Sequence, residues 1–176
     1  MNIRLKSTPG LYVVGFMASG KSTVGRHLAR RLGWNFFDLD EEIEAAEKRT
    51  IPEIFDTRGE AEFGRIESEM LAQHVHWIER GRPAVLALGG GTFISPGNRQ
   101  LMEDHGMTIW LDCPFELVKR RVAQAPRRPL VRDLEKLAAL YELRREIYRL
   151  ADMRISADCD DAEAVVNAIL HHPFLQ

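Results

Sequence analysis

The sequence contains few of the features that mark secreted, membrane or nucleic-acid-binding proteins. Its two cysteines, Cys113 and Cys159, lack the C-x-x-C spacing of a metal or redox motif, so we expect no disulfide framework and a reducing, cytoplasmic location. No apolar run approaches the length of about 18 residues that a membrane span needs, and the N-terminal residues lack the apolar core of a secretory signal. The formal net charge of −2 gives no electrostatic case for nucleic acid. We therefore expect neither a membrane nor a nucleic acid among the partners.

The rest of the composition is typical of one globular domain, with 176 residues of which 45% are hydrophobic and 28% charged. Short apolar runs alternate with helical patterns, and no repeat, linker or low-complexity tract divides the chain. This alternation predicts a doubly wound α/β domain whose parallel sheet is covered on both faces. In such sheets, ligands bind beyond the carboxyl ends of the strands. The predicted strands are residues 11–14, 35–37, 84–88, 107–111 and 153–156.

One octapeptide, Gly15–Ser22, fits the phosphate-binding pattern G-x-x-x-x-G-K-[ST]. It lies between a strand candidate and a helical pattern, where a helix N-terminus would add partial positive charge. Its glycines let backbone N–H groups turn inward on a phosphate. We expect Lys21 to reach the β- and γ-phosphates and the Ser22 hydroxyl to ligate Mg²⁺. The predicted contacts to ATP in this region are Ala18, Ser19, Gly20, Lys21, Ser22 and Thr23.

Two carboxylates, Asp38 and Asp40, follow the second predicted strand. Residues two apart on a strand point the same way, so both side chains could face a Mg·ATP site. One would help to hold the metal, and the other would accept the proton of an attacking hydroxyl. The alternative is that they only cap the helix predicted over residues 41–48. Beyond that helix, a capping-box pattern at residues 50–53 precedes a longer helix predicted over about 60–79.

Gly89, Gly90 and Gly91 end a buried strand candidate. Such a run is either a flexible turn or a place where the backbone approaches a small ligand closely.

Arginines cluster in the last third of the chain. Arg127, Arg128 and Arg132 lie in a Pro-flanked segment, which is either a solvated surface or a lid that brings positive charge over the γ-phosphate. Arg144 and Arg145 lie in the following helix, and either could reach an anionic substrate, because Arg matches a carboxylate with two parallel hydrogen bonds.

Together these residues resemble those of the shikimate kinases, small P-loop kinases of aromatic amino-acid biosynthesis. The resemblance covers about residues 11–170 and is carried by the motifs G-F-M-A-S-G-K-S-T, F-D-L-D, G-E-A-E-F, L-G-G-G-T, R-R-P-L and L-R-R-E-I-Y. It implies a three-layer P-loop NTPase fold with a five-stranded parallel sheet in the order 2-3-1-4-5, helices on both faces and a mobile lid at about 122–133. The whole chain, 1–176, would form one kinase domain, with a substrate-binding helical region at about 38–80.

The resemblance also implies the reaction and the roles of residues. ATP would phosphorylate the 3-hydroxyl of shikimate in the presence of Mg²⁺, and the protein would be a monomer. The implied catalytic residues are Lys21, Asp40 and Arg128. The metal site would be Ser22 and, through water, Asp38; Arg121 would stack on adenine; and Arg128 would reach the phosphates. The acceptor site would comprise Asp40, Gly64, Gly89, Gly90, Gly91 and Arg144, with Arg144 holding the carboxylate.

The sequence departs from the family pattern in the acceptor region. The family reads G-E-x-x-F-R-x-x-E, and its arginine is a second clamp on the shikimate carboxylate, whereas Gly64 occupies that position here. Arg65 is adjacent, but one residue rotates a side chain by about 100° around a helix, so it is no automatic substitute. A lost charge-assisted hydrogen bond would weaken acceptor binding by about 10- to 150-fold.

A smaller departure lies at the base of the nucleotide, where Asp160 and Ala162 stand in place of a basic residue and a proline. Two alternatives to a shikimate kinase therefore stay open at this point. One is a related kinase that acts on another small hydroxylated acid, and the other is a nucleotide-binding homologue without catalysis.

Overall fold

The structure, a computed structural model, describes residues 10–125 and 133–176. Its centre is a parallel sheet in the order β2-β3-β1-β4-β5, which confirms the predicted topology. The central strand, β1, pairs with β3 on one side and β4 on the other. The strands are β1 (Gly10–Val14), β2 (Asn35–Asp38), β3 (Ala84–Ala87), β4 (Gly106–Asp112) and β5 (Met153–Ser156).

Helices connect these strands and flank the sheet. In the described ranges they are α1 (Lys21–Leu32), α2 (Leu39–Glu47), α3 (Ile51–Glu79), α4 (Pro96–His105), α5 (Phe115–Ala123), α6 (Leu134–Tyr148) and α7 (Ala162–Leu170), with short 3-10 turns at Thr92–Ile94 and Pro173–Leu175. None of the helices described is both long and apolar enough to cross a membrane.

Two adjacent residues of β2 show that helices cover both faces of the sheet. Phe36 points to α1, where its ring leaves no space for a side chain at Gly25. Phe37 points the opposite way and packs against Trp77 of α3. Since consecutive side chains of a strand alternate between faces, α1 and α3 lie on opposite sides. All five residues of β1 are buried between these layers, so the strand that leads into the phosphate loop is anchored in the core.

Helix α3 is longer than the sequence predicts, because it begins at Ile51 and not near residue 60. The capping box is confirmed: Thr50 Oγ1 accepts from the Glu53 backbone N–H at 3.3 Å, and the Glu53 side chain accepts from the Thr50 N–H at 2.7 Å. The helix then kinks at Gly59, whose φ of 82° is accessible to glycine but costly for other residues. The kink separates a first segment, started by the capping box, from a second segment that continues to Glu79.

Candidate active site

Three adjoining clefts lie at the carboxyl ends of β1, β2 and β3. The phosphate cleft, about 290 Å³, surrounds the loop at residues 17–23. The base cleft, about 330 Å³, lies between this loop and the start of α7 and shares Ala18, Gly20 and Thr23 with the phosphate cleft. The large cleft, about 880 Å³, lies between α3, α6 and the glycine run and shares Met17, Asp40 and Gly90 with the phosphate cleft. A long ligand or two ligands could therefore occupy one continuous surface.

At Gly15, the phosphate loop packs closely against Leu111 and against its own residue Ser19. Gly15 has a φ of 151°, and a Cβ there would lie only 2.9 Å from the Ser19 hydroxyl and from the carbonyl oxygen of Leu111. Lys21 Nζ donates to the carbonyl oxygens of Gly15 and Phe16, each at 2.9 Å, and so lies back over the loop. Among described atoms, the buried Ser19 hydroxyl has no hydrogen-bond partner.

The N-terminus of α1 opens into the phosphate cleft. Its N-cap residue, Gly20, has no side chain to bond the first N–H groups, and the first turn carries no acidic residue. These N–H groups and the helix dipole favour an anion, and Lys21 adds a full positive charge beside them. The cleft therefore suits phosphate groups.

Asp38 joins the phosphate loop to α2. One carboxylate oxygen accepts a short hydrogen bond from the Ser22 hydroxyl, and the other accepts from the Glu41 backbone N–H at 3.1 Å. Asp38 thus caps α2 and also faces the proposed metal ligand, so the two alternatives from the sequence are compatible. A hydroxyl and one carboxylate fit Mg²⁺, which usually keeps several waters and takes phosphate oxygens. Within the described ranges, no cluster of three or more His, Cys, Asp or Glu side chains offers a separate metal site.

Asp40 does not lie on a strand, which corrects the argument that it shares a strand face with Asp38. Strand β2 ends at Asp38, and Asp40 lies in the first turn of α2. A Cβ at Gly89 would lie 2.6 Å from Asp40 Oδ1 and 3.0 Å from Glu67 Oε2. Gly89 is therefore needed for close packing, and the two carboxyl groups are neighbours. Because Asp40 lines both the phosphate cleft and the large cleft, it stands where a phosphoryl group and an acceptor would meet.

Glu67 is a buried acid to which the sequence analysis gives no role. Its side chain accepts a hydrogen bond from the Thr92 hydroxyl at 2.6 Å, and the residue is 6% exposed. Burial raises the pKa of Glu67 to about 7; the Asp40 charge also raises it, whereas the Thr92 hydrogen bond and the Arg144 charge lower it. A glutamate among the apolar residues of a helix was the available signal, but only the tertiary structure shows what it faces.

Arg144 and Arg145, equivalent on sequence grounds, have different surroundings. Arg144 lines the large cleft, and its Nη1 lies 2.9 Å from the Cβ position of Gly90. Tyr148 fixes the same corner by donating to the Gly90 carbonyl at 2.6 Å, and burial raises the pKa of Tyr148 to about 12. Arg145 instead pairs with Asp112 at 2.6 Å and lies over the Trp110 ring. Only Arg144 is therefore placed to meet an anion in the cleft.

Gly64 leaves one wall of the large cleft open. It lines the cleft, and a Cβ built on it has no neighbouring atom within 4 Å. Arg65 also lines the edge of the cleft, but its guanidinium pairs with Glu62 at 2.6 Å and Glu69 at 2.5 Å on the exposed side of α3. Arg65 and Arg144 are the cations among the described lining residues of this cleft.

The base cleft is crossed by Arg121. Its guanidinium donates to the Ala18 carbonyl at 2.9 Å, to Asp160 at 2.8 Å and to the Cys159 carbonyl at 3.2 Å. It therefore ties the phosphate loop to the segment after β5. The hydrogen bond from Arg121, followed by the charges of Arg121 and Arg120, holds the pKa of Asp160 below its usual range. Arg128 and most of the segment expected to form a lid lie outside the described residues.

Comparison with known proteins gives consistent results. A family model described as shikimate kinase matches residues 17–172. The chain is 40% identical to the shikimate kinase of Persephonella marina over 161 residues, which covers 91% of this chain and 96% of that relative. The solved shikimate kinase of Aquifex aeolicus is 37% identical with a TM-score of 0.78, covering 92% of this chain and 93% of that one. A shikimate kinase from Acinetobacter baumannii, solved in complex with shikimate, is also 37% identical, with a TM-score of 0.83 and coverage of 93% and 91%.

A more distant structure, a gluconokinase from Sinorhizobium meliloti, has a TM-score of 0.57 at 16% identity and covers 94% of this chain and 91% of its own. At that identity the likeness shows a shared fold alone. It gives no support to the alternative of a kinase for a different acid.

Proposed function

The chain belongs to the shikimate kinase family, and from that premise we propose that it transfers the γ-phosphoryl group of ATP to the 3-hydroxyl of shikimate. The observation that carries the proposal is the position of Asp40, which lines both the phosphate cleft and the large cleft. Two substrates bound in these clefts would meet beside its carboxylate. Phosphoryl transfer depends mainly on such positioning and on charge stabilisation.

The donor side of the reaction uses the phosphate cleft. The loop N–H groups and Lys21 would hold the β- and γ-phosphates, and Arg121 would lie against the base. Ser22 and Asp38 would hold Mg²⁺, which neutralises charge on the phosphates when it is bound. Because the Ser22 hydroxyl and the Asp38 carboxylate already face one another, this pair needs little rearrangement to share a cation. We propose that Arg128 adds positive charge over the γ-phosphate.

The acceptor side uses the large cleft. We propose that Arg144 binds the shikimate carboxylate beside Gly90 and Gly91. Asp40 would orient the 3-hydroxyl, whose oxygen forms a bond to the γ-phosphorus as the bond from that phosphorus to the β,γ-bridging oxygen breaks. The hydroxyl proton passes to Asp40, and ADP leaves. Glu67 borders Asp40 and would influence its charge without contacting the phosphates.

Gly64 changes how the acceptor carboxylate is held. We propose that Arg144 is the main clamp, since Arg65 is engaged with two glutamates and a glycine supplies no donor. The absence of an arginine at position 64 would raise the KM for shikimate and leave the phosphoryl-transfer step unchanged. A contact made equally in the ground state and the transition state affects KM and not kcat.

We further propose that the protein acts as a monomer in the cytoplasm. The free state of both cysteines, Cys113 and Cys159, is compatible with a reducing compartment.

The test is ADP formation measured with a coupled assay. We expect turnover that requires shikimate, ATP and Mg²⁺ together, and Asp40→Asn to lower kcat by about 10²- to 10⁴-fold with the KM for ATP nearly unchanged. Asp104→Asn, on the exposed side of α4, is the matched control and should behave as the unmodified chain. Near-normal kcat for Asp40→Asn would exclude Asp40 as base, and turnover of another hydroxy acid without turnover of shikimate would exclude the proposed acceptor.

A further inference from the structure

The phosphate loop contains one residue whose backbone conformation is unfavourable for its side chain. Ala18 has a φ of 59°, in the left-handed region where a Cβ crowds the following carbonyl oxygen. Among the described residues other than glycine, Lys48 alone shares such a φ, and Lys48 ends α2, where this conformation is common. Ala18 instead lies third in a turn that the Ser19 N–H closes by donating to the Phe16 carbonyl at 3.2 Å. Glycine is the residue that fits a positive φ at this turn position best.

A strained conformation persists only where the surrounding contacts favour it. The peptide unit between Ala18 and Ser19 is held at both ends. Its N–H donates to Phe16, and its oxygen, the carbonyl of Ala18, accepts from Arg121 Nη1 at 2.9 Å. The first of these bonds lies within the turn, whereas the second comes from α5, 103 positions away in the sequence. The contact with Arg121 therefore ties the strained turn to a different part of the domain.

Asp160 holds Arg121 in the orientation that reaches the loop. Only 23% of the Arg121 side chain is exposed, and two of its oxygen acceptors are the neutral carbonyls of Ala18 and Cys159. The Asp160 carboxylate supplies the countercharge at 2.8 Å, and its second oxygen accepts from Arg120 at 3.1 Å. Hydrogen bonds between charged groups are roughly twice as strong as those between neutral groups. A basic side chain at position 160 could not replace these contacts, because it would repel both arginines.

We propose that Asp160 is a positioning residue for phosphate binding, which acts through Arg121 on the turn at Ala18. With the carboxylate in place, the guanidinium donates to the Ala18 carbonyl and the loop keeps the conformation in which the α1 N-terminus opens into the phosphate cleft. Without the carboxylate, Arg121 turns toward solvent and the loop relaxes to a negative φ at Ala18. Only a fraction of the molecules is then ready to bind phosphate, and the apparent affinity falls by that fraction.

This role is compatible with a contact between Arg121 and the base. The hydrogen bonds to the loop and to Asp160 use the edge of the guanidinium, whereas a base would lie on its face. The inference rests on the proposed function only in taking the bound phosphates to be those of ATP.

The test is a calorimetric titration of the full chain with inorganic tripolyphosphate, which has no base or sugar, so contacts with the base do not contribute. We expect Asp160→Ala to weaken tripolyphosphate binding by about 5- to 30-fold, because an alanine with positive φ favours the relaxed loop once the tie is lost. ATP binding should weaken by at least the same factor. Since 70% of the Asp160 side chain is exposed, the variant should fold.

Asp158→Ala is the matched control. Asp158 is an exposed aspartate two residues away that does not line the base cleft, and its substitution removes the same negative charge. Charge alone predicts that both variants bind the anion slightly more tightly than the unmodified chain. The positioning role predicts weaker binding for Asp160→Ala and no loss for Asp158→Ala, so the two explanations differ in the sign of the effect.

A second substitution tests the path through Ala18. Glycine adopts a positive φ without strain, so in an Ala18→Gly background the added Asp160→Ala should change tripolyphosphate binding by less than about twofold. Equal losses in the two backgrounds, a loss for ATP alone, or unchanged or tighter tripolyphosphate binding in Asp160→Ala would each overturn the proposal, as would the absence of tripolyphosphate binding at millimolar concentration. None of these measurements involves an acceptor. Failure to phosphorylate shikimate would therefore contradict the proposed function without contradicting the role of Asp160.

Discussion

The phosphate cleft and the large cleft meet at Asp40 but are constructed differently. The phosphate cleft is mostly one loop and the first turn of one helix, with hydrogen bonds that join residues close in sequence, such as Lys21 to Gly15 and Phe16. The large cleft is assembled from α2, α3, α6 and the glycine run, which are distant in sequence. A local site is restrained mainly by its own backbone, whereas an assembled site depends on how several helices pack.

This difference explains where substitutions are tolerated. In the phosphate loop, a Cβ at Gly15 would collide with backbone at 2.9 Å, so little can change without moving the loop. In the large cleft, Gly64 has open space around it, and a side chain can be gained or lost there without a collision. The phosphate loop at Gly15 is therefore a rigid region of the site, and the wall of the large cleft at Gly64 is a permissive one.

The largest effect is expected from removing the lysine charge from the phosphate cleft. Lys21→Met removes the positive charge beside the α1 N-terminus, and we expect kcat to fall by about 10²- to 10³-fold, the usual loss for one electrostatic donor. Shikimate binding, measured by calorimetry, should change little because the large cleft is built from other elements. Lys136→Met on the exposed side of α6 is the control. A comparable loss of shikimate affinity in Lys21→Met would show that the two clefts are not separable.

The next effect concerns Glu67, the buried acid that lines the large cleft beside Asp40. Its folded-state pKa of about 7 is higher than the ordinary value of 4.5. Between pH 4.5 and pH 7 the folded chain therefore binds more protons than the unfolded chain. Stability therefore falls as the pH rises from about 4.5 through 7, in total by roughly 3 kcal/mol at 1.36 kcal/mol for each pKa unit. Glu67→Gln keeps an acceptor for the Thr92 hydroxyl and removes this dependence.

Urea unfolding at several pH values measures the pH dependence of stability that Glu67 causes. The stability of Glu67→Gln relative to the unmodified chain should increase by about 3 kcal/mol between pH 4 and pH 9. Glu103→Gln, an exposed glutamate on α4, should show a flat difference over the same range. A flat difference for Glu67→Gln as well would mean that Glu67 ionises in the folded chain as readily as in the unfolded one.

Local sequence was sufficient for the phosphate cleft and insufficient for the large cleft. The loop and α1 follow from short-range patterns, whereas the sheet order follows from the resemblance to the family, and the structure has all three as predicted. The sequence places Asp40 on a strand only if the strand alternation continues past Asp38. In the structure the Asp38 carboxylate caps α2, so β2 ends two residues before Asp40. The role of Glu67 was missed because a glutamate among the apolar residues of a helix does not by itself show which groups it faces. Glu67 of α3 bonds to Thr92, which directly follows the glycine run, and these two residues are more than twenty positions apart in the sequence.

The smallest effect should come from restoring the missing clamp in the permissive region. Gly64→Arg places a guanidinium on the wall of the large cleft, one helical turn before Glu67, whose carboxylate can orient it. We expect the KM for shikimate to fall by about tenfold with kcat nearly unchanged, because a bidentate contact to the carboxylate is gained in the ground state and the transition state alike. Gly64→Ala is the matched control, since it gains the same roughly 1 kcal/mol of helix propensity without a charge. If the two variants share one KM, or if the KM of Gly64→Arg rises, then the carboxylate is already held by Arg144 with another group, and the open wall at residue 64 serves a different part of the acceptor.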